Sequence, residues 1–226
     1  LDKRIHSHNN FFVFTGALIF LLICSGIVSS TPAGQHHEVL QFMMFVTELI
    51  AYFSLNLSKR WRRFVLVMLA VMLASNVLKE FTDWSLGPSA ILIAYLVFLV
   101  GMTWAAFQQS LFTNCIEPNT IAGAVAVYLL LGLVWTVLYL LSMEVWPGAF
   151  HGLEYRAWND NFGEMGYFSY VTMTTLGYGD ISPAIPFTRV LAALQAITGT
   201  FYMAVVVASL VGALAQNSNK TSNPED

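Results

Sequence analysis

Charge is what this chain has least of. Only 10% of its 226 residues are Asp, Glu, Lys or Arg, against 57% that are hydrophobic. An ordinary soluble domain carries about 25% charged residues, so that class is excluded. No basic arm for nucleic acid, no phosphate-binding loop and no Cys/His cluster occurs. The two cysteines, Cys24 and Cys115, lie far apart in the chain, which suits neither a disulfide framework nor a metal site. No nucleophile–base pair stands out, and an enzyme is not expected. One further absence is local: no Lys or Arg lies between Lys79 and Arg156.

What is present is apolar sequence in long blocks. A helix crosses a bilayer in about 20 residues, and six stretches approach or exceed that length: Phe11–Val28, Val39–Leu55, Phe64–Leu78, Ser89 to about Phe107, Ile121–Trp146 and Ile185–Ala215. The first, with its basic start and trailing Ser29 and Ser30, also has the outline of a cleaved signal peptide. Its apolar run is longer than a usual signal core, which favours a retained span. Lys3, Arg4, Lys59, Arg60, Arg62, Arg63 and Lys220, seven of the ten basic residues, fall on one side if the spans alternate. By the positive-inside rule that side, with both termini, is cytoplasmic. Glu48 sits inside the second stretch, where an acid is costly. It is either a neutral, hydrogen-bonded packing residue or a proton- or ligand-sensing group.

Between the last two stretches lies Thr172-Met173-Thr174-Thr175-Leu176-Gly177-Tyr178-Gly179-Asp180. Non-helical backbone at membrane depth is tolerated only where protein buries it or where it lines a water-filled path. A cation losing its water in a narrow pore needs closely spaced oxygens in exchange, and backbone carbonyls serve if successive ones face inward. That demands some residues with positive φ, cheap only at glycine, as at Gly177 and Gly179. Asn161 followed by Glu164 marks a helix start, so a short helix from Phe162 to about Thr174 would lead into the run. Its C-terminal partial negative charge would favour a cation. Residues 149–161 before it would form an exposed turret.

The run resembles the selectivity filter of potassium channels, whose pattern is Thr-x-Gly-Tyr-Gly-Asp and whose carbonyls replace the hydration shell of K+. The resemblance covers residues 121–216. It implies K+ sites at Thr175, Leu176, Gly177 and Tyr178, with Gly179 completing the filter and no cofactor beyond the ions. Asp180 would tie the outer end, and Thr174 and Phe168 would support the loop. Tyr167, Phe168 and Tyr170 would form an aromatic collar around Tyr178. Where the family often has a tryptophan pair this chain has Tyr167-Phe168, which makes the Tyr167 hydroxyl the candidate partner of Asp180. Val171 stands where some members carry a carboxylate behind the filter, so that brace is absent. Gly199 falls near the family's hinge glycine, and close helix packing is the competing reading of it. Met203, Val207 and Val211 are the gate candidates.

The expected architecture is an all-α membrane protein with six transmembrane helices, a re-entrant pore helix and a filter, assembled from four identical chains. Residues 1–110 would be a four-helix sensor-like domain, 111–120 a connector, 121–216 the pore domain and 217–226 a cytoplasmic tail. Voltage-gated relatives carry arginines in the fourth span. Moving one charge across the membrane supplies only about 2.3 kcal/mol per 100 mV, so steep gating needs several. A fourth span with none implies weak voltage dependence. The implied function is passive, K+-selective conduction in the cell membrane, with lipid and ions as partners and no nucleic acid. The alternatives are a non-selective cation channel and a potassium transporter or uptake subunit.

Overall fold

The structure, a computed structural model, describes residues 10–29, 37–54, 61–71, 87–111 and 118–222. Lys3, Arg4, Leu55, Lys59, Arg60, Lys79 and Cys115 lie outside them. The helices are α1 (Asn10–Ser29), α2 (His37–Ser54), α3 (61–71), α4 (Pro88–Leu111), α5 (Pro118–Val145), α6 (Trp158–Met173) and α7 (Pro186–Ser222). Strands β1 (Phe150–His151) and β2 (Ser182–Pro183) pair antiparallel, Phe150 opposite Pro183. Three helices begin on proline, at Pro88, Pro118 and Pro186. That position leaves an amide unpaired in any case and suits proline's fixed φ.

Among the described residues, four helices are long and apolar enough to cross a membrane: Phe11–Ser29 of α1, Pro88–Ser110 of α4, Pro118–Val145 of α5 and Pro186–Ser209 of α7. Six were expected. α2 is helical over 18 residues but carries Glu38, Gln41 and Glu48, which lower its apolarity below that of a spanning segment. α3 is described only for 61–71.

The core lies where α1, α4, α5 and α6 meet, around Phe14, Leu18, Leu92, Met102, Leu130, Val137, Phe162 and Met165. Lipid tails are as apolar as these side chains, so tight packing and interhelical hydrogen bonds must hold the helices together. Such bonds recur: Thr15 Oγ1 donates to Ala122 O at 2.9 Å, joining α1 to α5. Tyr170 Oη donates to Leu129 O at 2.6 Å, joining α6 to α5, and Tyr202 Oη to Ala124 O at 2.6 Å, joining α7 to α5. Each is worth about 0.6–2 kcal/mol in a membrane.

α7 is the outlier. Only 17% of its spanning segment is buried within the chain, against 56% for α5. Phe187, Val190, Leu194, Ile197, Phe201 and Val205 stand exposed along it.

Candidate functional site

The helix before the glycine run starts a turn earlier than its sequence suggests. Ala157 precedes the first residue, and no side chain caps the N-terminus. Asn161 is instead inside α6 and buried, its amide donating to Glu154 O at 3.1 Å and to Arg156 O at 3.4 Å. The extra turn buries Trp158, whose ring lies 6.4 Å from that of Tyr95 on α4. The segment 149–161 is likewise not exposed throughout. Ala149 and Phe150 are buried, and Phe150 packs edge-on against Tyr139 and Phe168.

At its C-terminus α6 ends in a hydrogen-bond pattern that launches the run. The N–H of Leu176 donates to Val171 O at 3.0 Å, and that of Thr175 to Thr172 O at 3.0 Å. This is a Schellman turn with Thr175 at the left-handed position, φ 60°. Glycine normally takes that place. A β-branched residue there costs on the order of 1–2 kcal/mol, and such strain persists where the side chain has a use. Positive φ then recurs at every second residue, 57° at Gly177 and 82° at Gly179, but not at Leu176 or Tyr178. In extended backbone successive carbonyls face opposite sides. Reversing the sign of φ at alternate residues turns them to a common side. A Cβ at Gly177 or Gly179 would meet nothing within 4 Å, so the dihedral, not space, calls for glycine.

Both ends of the run are tied to the scaffold. Gly177 N–H shares Val171 O at 3.3 Å, so the inner half hangs from the last turn of α6. Thr174 Oγ1 donates to Tyr170 O at 2.7 Å. At the outer end the Tyr167 hydroxyl donates to Asp180 Oδ2 at 2.7 Å, and Ile181 N–H to Asp180 Oδ1 at 3.0 Å. The Tyr167 bond foremost, then the two backbone amides, holds the Asp180 carboxyl below its ordinary value. The same bond foremost pushes the Tyr167 phenol up to about 12. The collar does not form within one chain. Phe168 turns to Tyr139 at 5.0 Å between ring centres, and Tyr170 reaches α5. Tyr178 is 68% exposed.

Gly199 on α7 abuts α6. A Cβ built there would fall 2.3 Å from Met173 O, so only glycine admits this approach. Met203 and Val207 are exposed within the chain, and the Val211 side chain lies outside the described set.

One group went unread in the sequence. Gln195, on α7 one turn above Gly199, is fully buried and donates from Nε2 to Ser169 O at 2.9 Å and to Ser169 Oγ at 2.7 Å. Its Oε1 accepts from the Tyr139 hydroxyl, and Ser169 Oγ donates to Gly132 O at 2.7 Å. The available signal was a lone amide in the stretch Ile185–Val207, which is otherwise apolar save for hydroxyls and Arg189. Polar side chains at membrane depth usually have partners.

The C-terminus of α5, the N-terminus of α6 and the exit of the glycine run come together at one end, joined by the β1–β2 ribbon. Glu144, Glu154, Asp160, Glu164 and Asp180 belong to these segments. Arg156 there pairs with Glu154 at 2.9 Å, and Arg189 donates to Ala184 O at 3.2 Å.

Residues 127–216 match the sequence model of a family described as ion channel. The match spans most of α5, α6, the glycine run and most of α7, and supports ion-channel character for this part of an integral membrane protein. Searches of curated proteins and of solved structures found no match.

Proposed function

We propose that this chain forms a potassium-selective channel conducting passively down the electrochemical gradient through a pore of four identical chains. The observation that carries the reading is the alternation of positive φ at Thr175, Gly177 and Gly179. In it the carbonyls of Thr175, Leu176, Gly177 and Tyr178 form successive K+ sites, and the strained Thr175 is retained for its hydroxyl at the innermost one. Gly179 and Asp180 close the outer end, with Tyr167 as the tie. No cofactor other than the ion is required.

Each chain supplies one such loop, and a ring of carbonyls needs several. The uncovered apolar side of α7 supports a partner there, because a spanning helix so little buried has neighbours other than its own chain to pack on. Acidic residues at the outer mouth raise local cation concentration. The cytoplasmic side takes both termini, the cell membrane is the location, and the charge-free α4 makes voltage dependence weak.

Purified protein in a planar bilayer, with K+ on one side and Na+ on the other, tests this. The reversal potential is expected near the K+ equilibrium potential, with discrete single-channel steps. Equal permeability would assign the pore to non-selective cation channels. Saturating flux without steps would assign the protein to transporters.

A further inference from the structure

We infer that Gln195 is the positioning residue that sets the height and tilt of α6, and through it the spacing of the carbonyls in the filter. The inference rests on the potassium-channel reading above. It starts from a mechanical fact: the filter hangs from Val171 O, which accepts from both Leu176 and Gly177. Ser169 lies two residues before Val171 on the same helix. Whatever fixes Ser169 therefore fixes the point of suspension.

Ser169 is held from two sides. Its hydroxyl donates to Gly132 O on α5 at 2.7 Å, while its carbonyl and hydroxyl oxygens both accept from Gln195 on α7. The Gln195 amide spends both N–H donors on Ser169, and its oxygen is engaged by Tyr139 from α5. Tyr139, Ser169 and Gln195 are all fully buried. An amide in this setting has one orientation, because rotating it would set Oε1 against the Ser169 carbonyl oxygen, acceptor facing acceptor. Buried networks with every member partnered are rigid and specify a single geometry. One turn further down, Gly199 meets Met173, so α7 and α6 stay in register over a full turn.

Val171, one turn before Thr175, brings no carboxyl to the back of the filter. The neutral amide from α7 supplies a brace a turn away. Being uncharged, it sets position without adding a net charge near the ion sites. Side chains that support a site must hold it within about 0.5 Å for the site to work, and ion selection by carbonyls depends on their number and spacing.

The test uses the full-length protein in bilayers and reads the K+/Na+ permeability ratio. Gln195→Met keeps the volume and removes both donors. The expected result is assembled channels whose ratio falls at least about tenfold, the scale of a single lost hydrogen bond, since both bonds to Ser169 and the one from Tyr139 go. Ser169→Ala is expected to cause a similar fall, and the double variant little more, because the pair acts as a unit. A merely structural Gln195 would lower thermal stability while surviving channels keep the native ratio, and that result overturns the inference. Should Gln195→Met fail to assemble, Tyr139→Phe decides. It deletes one hydroxyl, and a fall of a few fold supports the role while an unchanged ratio overturns it. A native protein that does not select K+ would sink the underlying reading instead, so the two failures are distinguishable.

Discussion

Replacing Gly199 by alanine separates two accounts of the same residue. The added Cβ would lie 2.3 Å from Met173 O and 2.7 Å from Met173 Cγ. An ordinary C···O contact is about 3.3 Å, so α7 and the end of α6 must part by about 1 Å. Alanine gains about 1 kcal/mol in helix propensity, while forced overpacking of this kind costs about 1–3 kcal/mol. The balance is a loss of up to about 2 kcal/mol per chain. Met173 is the last residue of α6 and Thr175 follows within the same turn, so the displacement arrives at the glycine run. The expected outcome is a lower melting temperature of the purified oligomer together with a reduced K+/Na+ permeability ratio. A hinge behaves differently. Stiffening it would change the fraction of time open and leave selectivity and melting temperature at or above native. That pattern would refute the packing argument.

Three further outcomes follow from the same contacts. Tyr167→Phe should weaken selectivity at neutral pH by freeing the outer end of the filter, measured by bi-ionic reversal potential. Because Asp180 is depressed and Tyr167 raised, the bond between them contributes from above the ordinary carboxylate value to about pH 10. Native selectivity should thus be flat across that window and fall only as pH drops through the lowered Asp180 value or climbs toward 12. Glu48 is 4% exposed, bonded through one oxygen to Tyr95 and unpartnered at Oε1 beside a cavity of about 30 Å³. Tyr95→Phe should therefore cost about 1–3 kcal/mol by leaving the carboxyl without a partner, Glu48→Met a similar amount by stranding the Tyr95 hydroxyl, and the double change should be near neutral in thermal denaturation. Conductance–voltage curves should be shallow, and several gating charges per channel would contradict the reading of α4.

How much of this was legible depends on where the information resides. The helices containing long apolar runs announce themselves, and their prolines mark where three of them begin. The alternation of glycine with larger residues in 175–179 signals unusual φ, because glycine's freedom is a property of the residue itself. The Tyr167–Asp180 bond is readable as a pairing of complementary groups at the two ends of one loop. Contacts between distant segments are not readable in this way. The local capping signal at Asn161 places the start of α6 a turn late, because burial of Trp158 against α4 outweighs it. Nearness in sequence to Tyr178 suggests a collar of three rings, yet the helical turn aims Phe168 and Tyr170 at α5. Gln195 carries no local signal of its role, since its partners lie 26 and 56 residues away. Among the described residues four helices are long and apolar enough to cross, since polar side chains lower the apolarity of α2 and only 61–71 of the third stretch is described.

The most direct measurement is a high-resolution cryo-electron microscopy map of the purified protein in K+-containing lipid nanodiscs. The account predicts four chains about one axis, with ion density centred between successive rings of carbonyls from Thr175 to Tyr178. A map placing Gly177–Gly179 away from any symmetry axis, or carbonyls turned outward around an empty path, would contradict it.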